Sequence, residues 1–196
     1  LPYEENVAGT KEIVEYARQK ESRIKNKESR INIEGELGYL RGESKIQQEK
    51  IEVKKEDYTD PAQAADFVSR TGVDRLAIAV GNIHGISLDE PALDIERIRA
   101  IRAVVPERVA LVLHAGSGIP DSQIRAAIAA GIANIHINTD IRVAYVRELK
   151  KTLAADMDEA AMYKLDASAS AAMKEIVKQK LTLFGAVGRI GEATGL

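Results

Sequence analysis

The chain repeats one unit along most of its length: a short apolar run, a polar or glycine-bearing stretch, then an amphipathic helix. Apolar runs fall at 75–80, 109–113 and 132–138, and helical periodicity at 94–104, 121–130 and 141–153. An earlier unit pairs a strand at Asn32-Ile-Glu-Gly-Glu-Leu37 with a helix from Asp60-Pro61 to about Gly72. Asp60 suits the N-cap and Pro61 the first turn. A further helix over about 4–19 comes first, with Val7, Thr10, Ile13, Val14 and Ala17 on one stripe. The order is therefore a helix and then four strand-helix units. Parallel strands need a crossover connection, usually helical, so this alternation predicts an α/β fold with a parallel sheet. An open doubly wound sheet and part of a (β/α)8 barrel both satisfy it.

The carboxyl ends of the predicted strands carry the chemistry. His84 ends Leu76-Ala-Ile-Ala-Val-Gly-Asn-Ile-His-Gly85, and His114 ends the run in Val109-Ala-Leu-Val-Leu-His-Ala-Gly-Ser-Gly118. Neighbouring parallel strands lie roughly 4.8 Å apart. Two imidazoles at matching strand ends can thus share one metal ion, and neutral imidazole suits zinc, cobalt or iron. A lone histidine is more often an ordinary core or loop residue; the matched placement favours the metal. Catalytic zinc usually has three protein ligands, so a third must come from elsewhere. His136, on the same strand side as Asn134 and Asn138, is one internal candidate; otherwise it packs beside the site.

Ala115-Gly-Ser-Gly118 followed by Pro120-Asp121 is a phosphate-type signal. Glycines let backbone N–H groups approach an anion, and a helix N-terminus favours negative charge. Such a stretch also makes ordinary turns. Asn138-Thr139-Asp140, opening the next helix, offers a second arm. Glu36 and Glu43 are candidate acid/base groups, or plain solvated carboxylates. Glu34 and Glu36 share one strand side by alternation. Residues 42–58 lack periodicity and read as a mobile loop. Two helical stretches are expected over 157–182 and a mobile glycine-rich end over 185–196. The tandem Lys20-Glu-Ser-Arg-Ile-Lys-Asn26 and Lys27-Glu-Ser-Arg-Ile-Asn32 reads as an insertion that extends a solvated helix or loop.

Composition excludes several classes. The net charge is -2 with no basic block, against a nucleic-acid partner. No apolar run approaches the roughly 18 residues of a membrane span. The chain contains no cysteine, which excludes disulfides and thiolate zinc sites and is compatible with the cytoplasm. A length of 196 residues fits one domain or a piece of a larger one. The opening Leu1-Pro-Tyr-Glu-Glu-Asn6 has no strand before it, so an N-terminal portion is expected to be absent.

At these residues the chain resembles the class II, metal-dependent fructose-bisphosphate and tagatose-bisphosphate aldolases. The matching segments are Leu1-Pro-Tyr-Glu-Glu-Asn6, Glu34-Gly-Glu-Leu-Gly38, Tyr58-Thr-Asp-Pro61, Val80-Gly-Asn-Ile-His-Gly85, Leu113-His-Ala-Gly-Ser-Gly118, Ile137-Asn-Thr-Asp-Ile-Arg142 and Phe184-Gly185. The resemblance implies a (β/α)8 barrel of which residues 1–196, as a single domain, hold the last four strands and the C-terminal helices. It implies one zinc ion, or cobalt or iron, held by His84 and His114, with Glu36 touching it in an alternative position. A third ligand and the catalytic acid are expected from an absent Asp-His pair, so 1–196 alone is expected to be inactive. Gly85, Ala115, Gly116, Ser117, His136, Asn138 and Thr139 match contacts to phosphate and dihydroxyacetone phosphate.

The implied activity is cleavage of fructose 1,6-bisphosphate to dihydroxyacetone phosphate and glyceraldehyde 3-phosphate through a metal-stabilised enediolate. The implied partners are a phosphorylated ketose and, for the full-length protein, further copies of itself. Three positions depart from the family pattern. Ala115 stands where glycine is frequent, and His136 where asparagine is usual. Ser44 follows Glu43 where many members carry a second acid, which leaves Glu43 to abstract the proton. The alternative from another class is a non-catalytic binding or structural subunit, or an inactive fragment, on the same scaffold.

Overall fold

The local signals around Asp60 are realised as read. The Asp60 carboxylate accepts from the N–H groups of Ala62 and Gln63, Pro61 opens the helix, and Gly72 closes it at φ 72°. Such a cap contributes about 1 kcal/mol. The computed structural model describes residues 1–23, 30–88 and 92–189. In chain order the elements are α1 (Tyr3–Glu21), β1 (Glu34–Leu37), β2 (Gly42–Ile46), α2 (Pro61–Thr71), β3 (Arg75–Ile78) and β4 (His84–Ile86). Then follow α3 (Ile95–Val104), β5 (Ala110–Leu113), α4 (Asp121–Ala129), β6 (Ile132–Ile135), α5 (Thr139–Ala155) and α6 (Met162–Leu183).

Four strands form one parallel sheet in the order β1-β3-β5-β6. Register decides which residues share a face. Glu34 lies level with Arg75 and Ala110, and Glu36 with Ala77, Val112 and Asn134. The alternate positions Leu37, Leu76, Ile78, Leu111, Leu113 and Ile132 belong to the hydrophobic core. That core also takes Val7 and Val14 from α1, Phe67 and Val68 from α2, Ile98 and Ile101 from α3, and Ile124 and Ala127 from α4. The helices therefore cover the apolar face, and Glu34, Glu36, Arg75 and Asn134 line the other. Each fully buried Leu, Ile or Phe stabilises the fold by about 1.5–3 kcal/mol. Gly35 faces the same core as Phe67. A Cβ there would lie 2.5 Å from the Phe67 ring, so only glycine lets the ring meet the strand.

Three expectations need correction. Residues 42–58 are not a structureless loop. β2 pairs in parallel with β4 as a second, two-stranded sheet. Buried Gln47 staples the pair, its Nε2 donating to the carbonyls of Glu43 (2.7 Å) and His84 (2.8 Å). Arg41 grips Asp57 through Nε at 2.6 Å and Nη2 at 2.9 Å. Nor is His84 the last residue of the strand before it: β3 ends at Ile78, and His84 begins β4. The two stretches expected over 157–182 are one helix from 162 to 183, packed on α5. Residues 24–29 of the repeated segment lie outside the described residues, as does the chain end beyond 189. No helix among the described residues is long and apolar enough to cross a membrane.

Candidate active site

The carboxyl ends of β5 and β6 are tied together by backbone. The His136 N–H donates to the Leu113 carbonyl at 2.9 Å, and the Gly116 N–H to the His136 carbonyl at 3.0 Å. These bonds extend the parallel ladder past the last strand residues and set His114 beside His136. The two rings stack with centroids 4.6 Å apart and planes inclined by 24°. Buried Asn82 fixes the neighbouring loop. It accepts from the Val80 N–H at 2.8 Å and donates to the His114 carbonyl at 2.9 Å.

His114 is held at both ring nitrogens. Nδ1 meets Glu36 Oε2 at 2.8 Å, and Nε2 meets Glu34 Oε1 at 2.7 Å. The hydrogen bond to Glu36 is the main reason the His114 pKa is raised, and Glu34 adds to it. The same bond is the main reason the Glu36 carboxyl lies below its ordinary range, with a further pull from His84. His136 is shifted the other way, first by burial and then by the charge on His114. Glu34 thus takes part in the cluster directly. Alternation along β1 carried that signal, since it puts both glutamates on one face.

A cavity of about 220 Å³ opens at these strand ends, lined by Ser44, His84, Gly85, His114, Ala115, Ser117, His136, Asn138 and Thr139. Of the eleven residues singled out from the sequence, eight line it. Gly116 packs behind, with its N–H engaged by His136. Glu36 reaches the site through His114. Glu43 does not line the cavity. Its carboxylate is 74% exposed and pairs with Lys45 at 2.8 Å, which holds its pKa down. Strand alternation along β2 explains this, because it turns Ser44 inward and Glu43 and Lys45 outward.

The glycine- and serine-bearing segments expected to meet phosphate are held by backbone contacts. Ser117 is buried, and its Oγ accepts from the N–H groups of Asn138 (3.3 Å) and Asp140 (3.2 Å). Its hydroxyl proton remains available to an anion. α5 begins at Thr139 beside the cavity; its N-cap Asn138 makes no side-chain cap, and Ser117 Oγ takes the Asp140 N–H in its place. Gly85, at φ 91°, lies against β2, and a Cβ there would meet the Lys45 carbonyl at 2.1 Å. Ala115 is in the left-handed region at φ 54°.

The donor set fits a divalent transition metal. One ligand atom each from Glu34, His114 and His136 lie within 4.8 Å of one another, and His84 lines the same cavity. Imidazole and carboxylate are the ligands zinc takes where thiolate is lacking. A larger cavity of about 340 Å³ between β2 and α5 has Val143 and Val146 in its wall and Arg142, Arg147 and Lys150 around it. It holds neither histidine nor carboxylate.

Known proteins resemble this chain in sequence and fold. The protein YdjI of Escherichia coli K12, itself uncharacterized, is 37% identical over 187 residues, covering 95% of this chain and 60% of YdjI. The crystal structure of the YdjI aldolase superposes with a TM-score of 0.74 at 36% identity, over 96% of this chain and 59% of that one. A protein of Coccidioides immitis assigned as a fructose-1,6-bisphosphate aldolase gives a TM-score of 0.77 at 26% identity, over 96% of this chain and 61% of that one. Fructose-bisphosphate aldolase of Campylobacter jejuni, at 18% identity and a TM-score of 0.66, shares the fold over 93% of this chain and 57% of its own. The chain thus spans about six-tenths of the length of these relatives. The family model for class-II fructose-bisphosphate aldolase matches residues 1–189, so this chain, with its histidine-lined cavity at the ends of a parallel sheet, belongs to that family.

Proposed function

We propose that the protein is a zinc-dependent aldolase that cleaves and forms a ketose 1,6-bisphosphate, with fructose 1,6-bisphosphate as substrate. The carrying observation is the convergence of His84, His114, Ser117, Asn138 and Thr139 on one cavity from separate parts of the chain. Helices on one face and polar residues on the other favour a sheet that forms the last four strands of a (β/α)8 barrel, with Glu34 and Glu36 pointing inward. In such barrels the active site lies at the carboxyl ends of the strands. On this reading residues 1–196 are part of one domain, and the protein is a cytoplasmic homo-oligomer.

His84 and His114 are the proposed metal ligands, with Glu36 beside them; cobalt or iron could replace zinc. When bound, the metal supplies Lewis-acid polarisation of the substrate carbonyl. Ser117 donates its hydroxyl to the substrate phosphate while Asn138 and Asp140 fix its oxygen. The N-terminus of α5 at Thr139 adds oriented N–H groups and a favourable dipole. Gly85 lets the backbone of β4 approach the ligand, and Ala115 and Gly116 shape the turn beneath it. His136 and Asn138 close the side where the dihydroxyacetone part would lie. These contacts hold the reacting carbons in one geometry, where much of the rate enhancement arises.

Glu43 is the proposed proton-abstracting carboxylate. It must leave Lys45 and turn toward the cavity, which requires β2 to move from its present register. Ser44 already faces the cavity and lacks the basicity for the task.

Metal removal tests the reading. Chelation of the protein should abolish fructose 1,6-bisphosphate cleavage, and zinc or cobalt should restore it. Full activity after exhaustive chelation would sink the proposal. So would covalent trapping of the chain by borohydride with substrate, the mark of a lysine Schiff base.

A further inference from the structure

Asp140 stands in the first turn of α5, next to Thr139, which lines the histidine cavity. A carboxylate there favours the helix, because it meets the positive end of the helix dipole. It opposes the other use of that end, which is to attract an anion. The conflict is met from α6, which packs along α5. Lys180, in the last turn of α6, puts Nζ 2.8 Å from Asp140 Oδ2. The two side chains are only 19% and 16% exposed. Lysines in other ion pairs, such as Lys45, Lys151 and Lys178, are at least 55% exposed. An enclosed pair is screened far less by salt than a solvated one, so its charge balance is felt in the neighbouring cavity.

We propose that Lys180 is a positioning residue for anion binding: it neutralises Asp140 and holds the first turn of α5 against Ser117, so that a substrate phosphate meets the cradle without facing a free carboxylate. The inference rests on the function proposed above, which assigns that phosphate to Ser117 and Thr139. Lys180 does not line the cavity, so it acts through Asp140. Two effects combine in that one residue. Its N–H donates to Ser117 Oγ at 3.2 Å and thereby fixes the serine that gives its proton to the anion. Its carboxylate, once Lys180 is removed, carries an uncompensated negative charge beside the incoming phosphate. Like charges in a partly enclosed site repel several times more strongly than in water. The ion pair therefore lets α5 keep an acidic residue in its first turn and still present a positive pole.

The test titrates the chain with inorganic phosphate at low salt, read by calorimetry, with circular dichroism to check that each variant is folded. Lys180→Met should weaken phosphate binding by about fivefold or more. Lys180→Arg keeps the charge and should restore it. Adding Asp140→Asn to Lys180→Met removes the uncompensated carboxylate and should return the affinity to within about twofold of the wild type. Lys178→Met makes the same charge change at an exposed pair on the same helix and should have no more than about a twofold effect. An equal loss in Lys178→Met would reduce the effect to overall charge and overturn the inference. So would a loss that persists in the double variant, since Lys180 would then act by packing alone. Ser117→Ala separates this inference from the reading beneath it. If Ser117→Ala weakens phosphate binding and Lys180→Met does not, the inference fails and the phosphate cradle stands. If Ser117→Ala leaves the affinity unchanged, the cradle is misplaced and both fail.

Discussion

One sheet has two unlike faces, separated only by the alternation of residues along each strand. Leu37, Leu76, Ile78, Leu111, Leu113 and Ile132 face the helices and belong to the core. Glu34, Glu36, Arg75 and Asn134 face the other way, where His114 and His136 join them. The apolar face gains from burial and tolerates no polar atom. The polar face is built from paired charges whose net contribution to stability is small. The difference separates folding from chemistry. A substitution on one face should leave the other's property nearly untouched.

The sharpest way to break this contrast is a matched pair of variants. On the proposed function, His114→Ala should lower aldol cleavage by at least about a thousandfold, because it would remove a proposed metal ligand worth several kcal/mol to the reaction. Its urea unfolding midpoint should shift by the equivalent of about 1 kcal/mol or less. Phe67→Ala, under Gly35, should destabilise the fold by about 3–5 kcal/mol. Zinc affinity of the Phe67→Ala chain, measured where it is still folded, should match the wild type. Large loss of stability in His114→Ala would mean that the polar face also holds the fold together.

Legibility followed the same division. Where a strand carries buried apolar residues the sequence is explicit: β1, β3, β5 and β6 lie within the expected runs, and α2 has the expected caps. β2 could not be found that way. All five of its residues are exposed, so no apolar pattern marks it. Its partner β4 is some forty residues on, and their union depends on Gln47 and on backbone pairing. The site shows the same limit. The segments around His84, His114 and Asn138 are recognisable because backbone geometry demands their glycines and polar residues. That His136 would stack on His114, or that Glu43 would turn outward to Lys45, depends on distant contacts no local pattern records.

Acidity sharpens the contrast next. In the metal-free chain the Glu36 share of stability is present above the ordinary glutamate value of 4.5 and is lost as pH falls through its lowered folded value. The His114 share is present below the ordinary histidine value of 6.5 and is lost as pH rises through its raised folded value. The pair is therefore worth most between 4.5 and 6.5. His136, shifted down, works against stability as pH falls below 6.5. Comparing wild type with Glu36→Gln cancels most of that opposing trend. The stability difference should peak near pH 5–6 at about 1 kcal/mol or less, since Glu36 is 43% exposed. It should shrink toward pH 3 and pH 9. A flat difference across this range would show that the carboxylate and imidazole do not interact as an ion pair in solution.

The smallest effect sits at the boundary between the two faces. Ala115 follows His114 directly and holds φ 54°, a left-handed conformation that costs a non-glycine residue about 1–2 kcal/mol. Glycine would relieve the strain but gives up about 0.5–1 kcal/mol through the greater freedom of the unfolded chain. Ala115→Gly should therefore stabilise the chain by only about 0.5 kcal/mol, a shift readable in a urea midpoint. The conformation itself is what the site needs, because it turns the backbone so that Gly116 can donate to the His136 carbonyl. Affinity for dihydroxyacetone phosphate should consequently stay within about twofold, equivalent to roughly 0.4 kcal/mol. Destabilisation by Ala115→Gly would show that the alanine methyl makes a packing contribution larger than its strain. A marked loss of ligand affinity would place that methyl among the groups that shape the cavity, so that its strain serves the chemistry of the polar face.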